Sequence, residues 1–265
     1  KRLLMFVIVL LPFLFVQNGL GVLIATSLDM HPLMGLVGGS ITLVGGHGTG
    51  GAYAQRFAEV NNIQSIMELS MTSATLGLVL GGLTGGPVAH WLIKRYRLAD
   101  NTAVGALQGQ NTASVRQELT MATLVPALAA VLAALIGGQA IADWVGDSGV
   151  TVPTFLWCLL LGVLIRNLGR PLGLQLSDHG IGLLASINLA LFLAFTMMAL
   201  NLSSVFALAG PLVLILVCQA LLVMGFGAWV TFRALGRDYE AAVMSAAFCG
   251  FAMGATATAI ANMQA

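Results

Sequence analysis

Charge is what this sequence has least of. Its 265 residues include 11 Lys and Arg and 10 Asp and Glu, 8% in all, where a soluble domain carries about 25%. With 58% hydrophobic residues and a mean hydropathy of +0.94, that scarcity excludes the soluble classes and predicts an integral membrane protein. Cysteine is scarce as well. Cys158, Cys218 and Cys249 all lie in apolar runs, and an odd count without regular spacing excludes a disulfide framework or a zinc site. They read as buried free thiols. No acidic residue lies within an apolar span and no Cys–His spacing stands out, so an intramembrane enzyme has neither a nucleophile pair nor paired carboxylates. A net charge of +1 says nothing about partners by itself, and no nucleic-acid partner or organic cofactor is expected. A signal peptide is excluded too: the apolar run after Lys1-Arg2 reaches Leu28, too long for a signal core. An apolar helix opening at Lys1, and an uncapped run up to Ala265, predict a piece of a longer chain.

What the sequence does have is glycine where a helix cannot use it. Gly45-Gly46-His47-Gly48-Thr49-Gly50-Gly51 sits within the uncharged run Met30–Gln55. Each glycine costs about 1 kcal/mol in a helix relative to alanine, and a bare backbone in lipid needs protein partners. Pro32 to Val44 therefore reads as a half-helix that reaches the membrane interior, with Asp29 near its N-cap and Pro32 in its first turn. The glycine cluster breaks it, and Ala52–Ala58 returns towards Arg56 and Glu59. A second broken run follows Asp238 and Glu240, interrupted at Gly254-Ala255-Thr256-Ala257-Thr258.

Between and around these breaks, the apolar runs 3–28, 69–93, 119–142 and 151–165 read as spans. The run 180–232 divides into two more at Asn201–Ser204. The expected fold is all-α and polytopic, with six spans plus two re-entrant hairpins, at 30–58 and 238–265. The positive-inside rule tests this reading: with both segments counted as hairpins, ten of the eleven Lys and Arg residues fall on one side, Arg56 alone on the other. The hairpins then enter from opposite faces. A shift of 208 residues pairs Asp29 with Arg237 and Gly46 with Gly254, the mark of an inverted repeat. Residues 1–97 would end the first repeat, 98–117 would be a cytoplasmic linker, and 118–265 would hold the second repeat without its last span.

Ser40-Ile41-Thr42 with Gly45–Gly50, and Gly254–Gln264, resemble the two hairpin motifs of the bacterial sodium/glutamate symporters. Asp29–Ser40 and Ala74–Val88 are similar to that family as well. The sequence departs from its pattern at Ala257, where proline is expected, and at Ala252, where glycine is. The resemblance implies a homodimeric, multi-pass protein of the bacterial inner membrane that takes up L-glutamate with sodium as coupling ion, by an elevator movement.

On the residues themselves, half-helix N-termini suit a carboxylate and freed carbonyls suit sodium. The candidate substrate and sodium shell is Gly45, Gly46, His47, Gly48, Thr49, Gly50, Gly254, Ala255, Thr256, Ala257, Thr258 and Asn262, with Asn18 from the first span. Sodium is expected near Thr49, Thr256 and Thr258. A threonine in a membrane helix ordinarily bonds its own backbone, Gln17 and Asn18 can serve as interhelical glue, and the glycines of 69–93 suit close packing. Neither tip carries Lys or Arg, which favours a substrate bearing its own ammonium over a tricarboxylate. The alternatives are symport of another organic anion such as a 2-hydroxycarboxylate, a channel, or an enzyme using His47.

Overall fold

In a computed structural model the described residues are 2–63, 65–98, 120–146, 154–169, 176–199 and 202–264. Among them every regular element is helical: α1 (Arg2–Ser27), α2 (Pro32–Leu36), a π turn (Val37–Ile41), α3 (Gly46–Asn61), α4 (Ile66–Tyr96), α5 (Met121–Gly146), α6 (Thr154–Gly169), α7 (Asp178–Ala199), α8 (Leu202–Phe226), a second π turn (Gly227–Thr231), α9 (Phe232–Ala234) and α10 (Tyr239–Gln264). The all-α membrane architecture is therefore as expected. Four helices among the described residues are long and apolar enough to cross a bilayer: Arg2–Ser27, Ile66–Tyr96, Thr123–Gly146 and Leu208–Ala234. The 16 residues of α6 extend only about 24 Å, whereas the 22 residues of α7 extend about 33 Å. The expected linker at 98–117 lies, apart from Leu98, outside the described residues.

The helices form two compact units, α1–α4 with α8–α10 in one and α5–α7 in the other. In the first unit three phenylalanines join three helices. Phe13 of α1 lies 4.9 Å, centroid to centroid, from both Phe226 and Phe248, which are 5.7 Å apart and stacked. Phe13 and Phe248 are fully buried, and such ring pairs contribute about 0.5–1.5 kcal/mol each beyond their area.

The ends of this unit differ in charge. Arg2, opening α1, pairs with Asp238 and Glu240, which open α10. Tyr96 at the end of α4 packs 5.0 Å from Phe232 of α9. These contacts bring Arg2, Lys94, Arg95, Arg97, Arg233 and Arg237 to one end. Asp238 caps α10, its Oδ1 accepting the Ala241 N–H at 2.8 Å. Burial acts to raise its pKa, but the Ala241 N–H and the Arg2 guanidinium outweigh it and hold the carboxyl below its ordinary value. At the opposite end the chain leaves α1 through Asp29, whose φ of 56° is left-handed. The N-cap expected of Asp29 falls instead to His31, whose Nδ1 accepts the Leu33 N–H at 3.2 Å, with Pro32 in the first turn behind it. Asp29 is spent on the turn itself. The segment after α1 thus starts at one end of α1 and α10 at the other.

Candidate functional site

The first broken segment bends twice. At Gly39 the backbone is non-helical (φ −102°, ψ −136°) inside the π turn, which frees amides that a regular helix would use. Asn18 of α1 answers one of them, its Oδ1 accepting the Ser40 N–H at 3.0 Å. The second bend is the glycine cluster. Val44 and Gly45 both donate to the Ser40 carbonyl, at 3.1 and 3.2 Å, and Gly46 then takes φ +72°, a conformation glycine adopts without strain. Thr42 and Gly50 would lie about 12 Å apart along a straight helix. Instead, a β-carbon on Gly50 would stand 2.9 Å from Thr42 Cγ2 and 2.6 Å from Ser70 Oγ. The chain has doubled back.

Just past the break, His47 Nε2 lies 3.0 Å from Thr75 Oγ1, and that hydroxyl donates its single proton to the Met71 carbonyl at 2.9 Å. With that proton committed to Met71, His47 Nε2–H is the donor to the Thr75 hydroxyl. Gly45 and Gly48 are exposed at this bend, and Thr49 is half-buried beside them.

The second broken segment is α10. It is helical up to Gln264, yet the Asn262 amide donates to the Ala246 carbonyl at 3.3 Å, sixteen residues back and about 24 Å away if the helix were straight. Thr258 Oγ1 donates to the Gly250 carbonyl at 2.7 Å. A β-carbon on Gly250 would meet Ala259 N at 2.7 Å. The two halves of α10 therefore lie side by side, and the reversal falls between Gly250 and Thr258. The side chains of Ala255, Thr256 and Ala257 lie outside the described residues. The two closing pairs, Thr42 with Gly50 and Gly250 with Thr258, stand 208 residues apart member for member, and so do the left-handed Asp29 and Arg237 (φ 59°).

Helix α4 brings the bends together. A β-carbon on Gly77 would lie 2.6 Å from both Leu43 Cδ2 of the first segment and the Met253 carbonyl of the second. A β-carbon on Gly81 would lie 3.0 Å from Gly254 N, and the Gly81 carbonyl accepts the Asn262 amide at 2.9 Å. Gly85, one turn on, faces Asn262 and Ala246. The stripe at 77, 81 and 85 is a close-packing surface, as its spacing suggests.

Helix α1 holds both segments with neighbouring side chains. Asn18 takes the first, while Gln17 Nε2 donates to the Ala252 carbonyl of the second at 2.9 Å. Gln219 of α8 donates in turn to the Gln17 backbone carbonyl at 2.9 Å. Gln17 and Gln219 are fully buried, and each leaves its Oε1 without a partner among the described residues. Ser70 and Ser73, also fully buried on α4, leave their hydroxyls unpaired in the same sense. A buried unsatisfied group costs about 1–3 kcal/mol. Neutral, dry oxygens are the donor set a sodium ion accepts. No group of three His, Cys, Asp or Glu that could hold a metal occurs among the described residues. Ser70, Ser73 and Gln219 escape a sequence reading, their only signal being a polar side chain inside an apolar run.

The sequence that folds in this way matches a known protein family. The family model described as sodium/glutamate symporter covers residues 1–265. The chain belongs to that family. It is 38% identical over 270 residues to the sodium/glutamate symporter of Haemophilus influenzae, covering 100% of this chain and 67% of that protein. To the sodium/glutamate symporter of Escherichia coli K12 it is 39% identical over 267 residues, 98% of this chain and 66% of that protein. The one from Shigella flexneri matches to the same extent. No solved structure matches. The chain thus spans about two thirds of the length of these relatives. The sodium/glutamate symporter family is one of membrane transporters, not enzymes, with sodium as the coupling ion in place of a cofactor.

Proposed function

We propose that this chain forms the larger part of a sodium-coupled symporter that imports L-glutamate across the bacterial inner membrane. One observation carries the reading beyond family membership: two broken segments, starting at opposite ends of α1, reach the same glycine stripe at Gly77 and Gly81. Transport of an anion with a cation needs freed N–H groups and freed carbonyls near one point. A doubled-back segment supplies both. In this reading the segments are re-entrant hairpins of two inverted repeats, ending at 97 and beginning at 118. The substrate carboxylates take amides at Gly45–Gly50 and the turn at Gly254–Thr258. Sodium takes neutral oxygens, with Thr49, Thr256 and Thr258 as side-chain candidates, joined by Ser70 and Ser73, whose hydroxyls are unpaired among the described residues. Asn262 and Asn18 hold the segments in position. An elevator movement would carry the unit that holds both segments, and the active form would be a homodimer.

The test is uptake of labelled L-glutamate by the full-length protein in proteoliposomes, with and without an inward sodium gradient. Accumulation only with the gradient is the expected result; uptake indifferent to sodium overturns the proposal. Citrate or malate competing as well as glutamate would shift the substrate to another organic anion.

A further inference from the structure

The first unit carries a groove that the transport reading does not use. It is a cavity of about 300 Å³ between α4 and the end of α8, lined by Pro87, Val88, Trp91, Met224, Gly225, Ala228 and Trp229. Apart from the ring nitrogens of the two tryptophans, no side chain in it is polar. Both tryptophans are exposed, at 46% and 60%. Gly225 helps make the hollow: only the Trp229 ring stands within 4 Å of a β-carbon placed on it.

The two walls carry the same order of residues. On α4, Trp91 is followed four residues on by Arg95; on the other wall, Trp229 is followed four residues on by Arg233. Residues four apart on a helix lie on one face, so each wall reads apolar floor, indole, then guanidinium, running towards the same end. That end is the basic one, where Lys94 and Arg97 also stand. All four cations are exposed, and none has an acidic partner among the described residues, where the ion pairs are those of Arg2 and Arg166. Indoles mark the membrane–water boundary. Basic pockets between helices at the cytoplasmic face are suited to phospholipid head groups.

We propose that this groove is a binding site for an anionic phospholipid, one acyl chain lying along Val88, Met224 and Ala228, and the phosphate meeting Arg95 and Arg233. Charge complementarity selects the occupant. A zwitterionic lipid would bring its own cation to four that are already unpaired, and a protein helix would have to present acid at one end and alkyl groups along the rest.

The test uses the full-length protein in phosphatidylcholine vesicles doped with bromine-labelled chains. The Trp91 and Trp229 signal is the difference from a Trp91→Phe/Trp229→Phe variant. Brominated phosphatidylglycerol should reach half-maximal quenching of that signal at about tenfold lower mole fraction than brominated phosphatidylcholine. The preference should vanish in Arg95→Gln/Arg233→Gln and weaken in high salt, while quenching by the phosphatidylcholine stays unchanged. Equal quenching by both lipids would show a groove blind to the head group and overturn the proposal. Absence of quenching by either would mean that protein covers the groove, and would overturn it too. A preference that survives loss of both arginines would place the head group elsewhere, with the same consequence.

Discussion

The two broken segments reverse direction by different means. The first turns on its backbone: Gly46 at φ +72°, Gly39 outside the helical region, and Gly50 pressed against Thr42 and Ser70. The second turns through an alanine- and threonine-rich stretch and is clasped by side chains, Thr258 to Gly250 and Asn262 to Ala246 and Gly81. One is defined by missing side chains and the other by particular ones. The same architecture should therefore fail under opposite kinds of substitution.

The largest effect is expected where both meet. Gly77→Val places a β-carbon 2.6 Å from each segment, and such overpacking costs about 3 kcal/mol or more. Thermal unfolding in detergent should fall by several degrees and glutamate uptake should be lost; near-normal uptake would mean that the two bends do not converge on α4. Next comes Asn262→Leu, which removes the amide's bonds to the Gly81 and Ala246 carbonyls and should cost about 1–3 kcal/mol, while the same type of change in the first segment finds no comparable clasp. The matched pair Gly50→Ala and Thr258→Val sharpens the contrast. Gly50→Ala adds a clash with Ser70 Oγ and should cost about 1–3 kcal/mol. Thr258→Val removes one hydrogen bond and should cost about 1 kcal/mol. If Thr258→Val proved the more damaging by melting temperature, the backbone-versus-side-chain distinction would be wrong.

Smaller again are the bonds to α1. Asn18→Leu should loosen only the first segment and Gln17→Leu only the second. Thiol labelling of Thr49→Cys and Met263→Cys reads each separately, and a change at both sites from either variant would contradict independent clasps. The smallest effect is one of pH. Asp238 has a lowered folded pKa, so its contribution is complete above the unfolded value of about 4 and is lost as pH falls through the lower folded value. The stability advantage of the wild type over Asp238→Asn should therefore be largest above that unfolded value and shrink towards zero as pH falls, since only Asp238 loses a contribution; a difference that does not change with pH would show that the cap is idle.

Much of this was legible in the residues. Uncharged runs located α1, α4, α5 and α8, because a span must be apolar along its length. Glycine at 45–50 marked the first bend, since few other residues take φ +72° cheaply. The second bend was legible only as a weak point, and its side-by-side halves rest on contacts between residues eight and sixteen apart. Asp29 shows a local signal misread: an acid before Pro32 suggests a cap, but closing α1 required a left-handed residue, and His31 inherited the cap. The Gln17–Ala252, Asn262–Gly81 and Gln219–Gln17 bonds join residues 235, 181 and 202 apart. No period or spacing in one sequence records such pairs. Ser70 and Ser73 are ordinary small helix residues by type, and only their burial sets them apart.

The adjacency of Gln17 and Asn18 has a mechanical consequence. Each ties a different segment to α1 through one hydrogen bond. Neighbouring residues on a helix point about 100° apart, so α1 addresses two segments at a single level along its axis. Turning α1 about that axis would strain both ties together, whereas losing either amide would release only one, so α1 acts as a shared axle for the two segments.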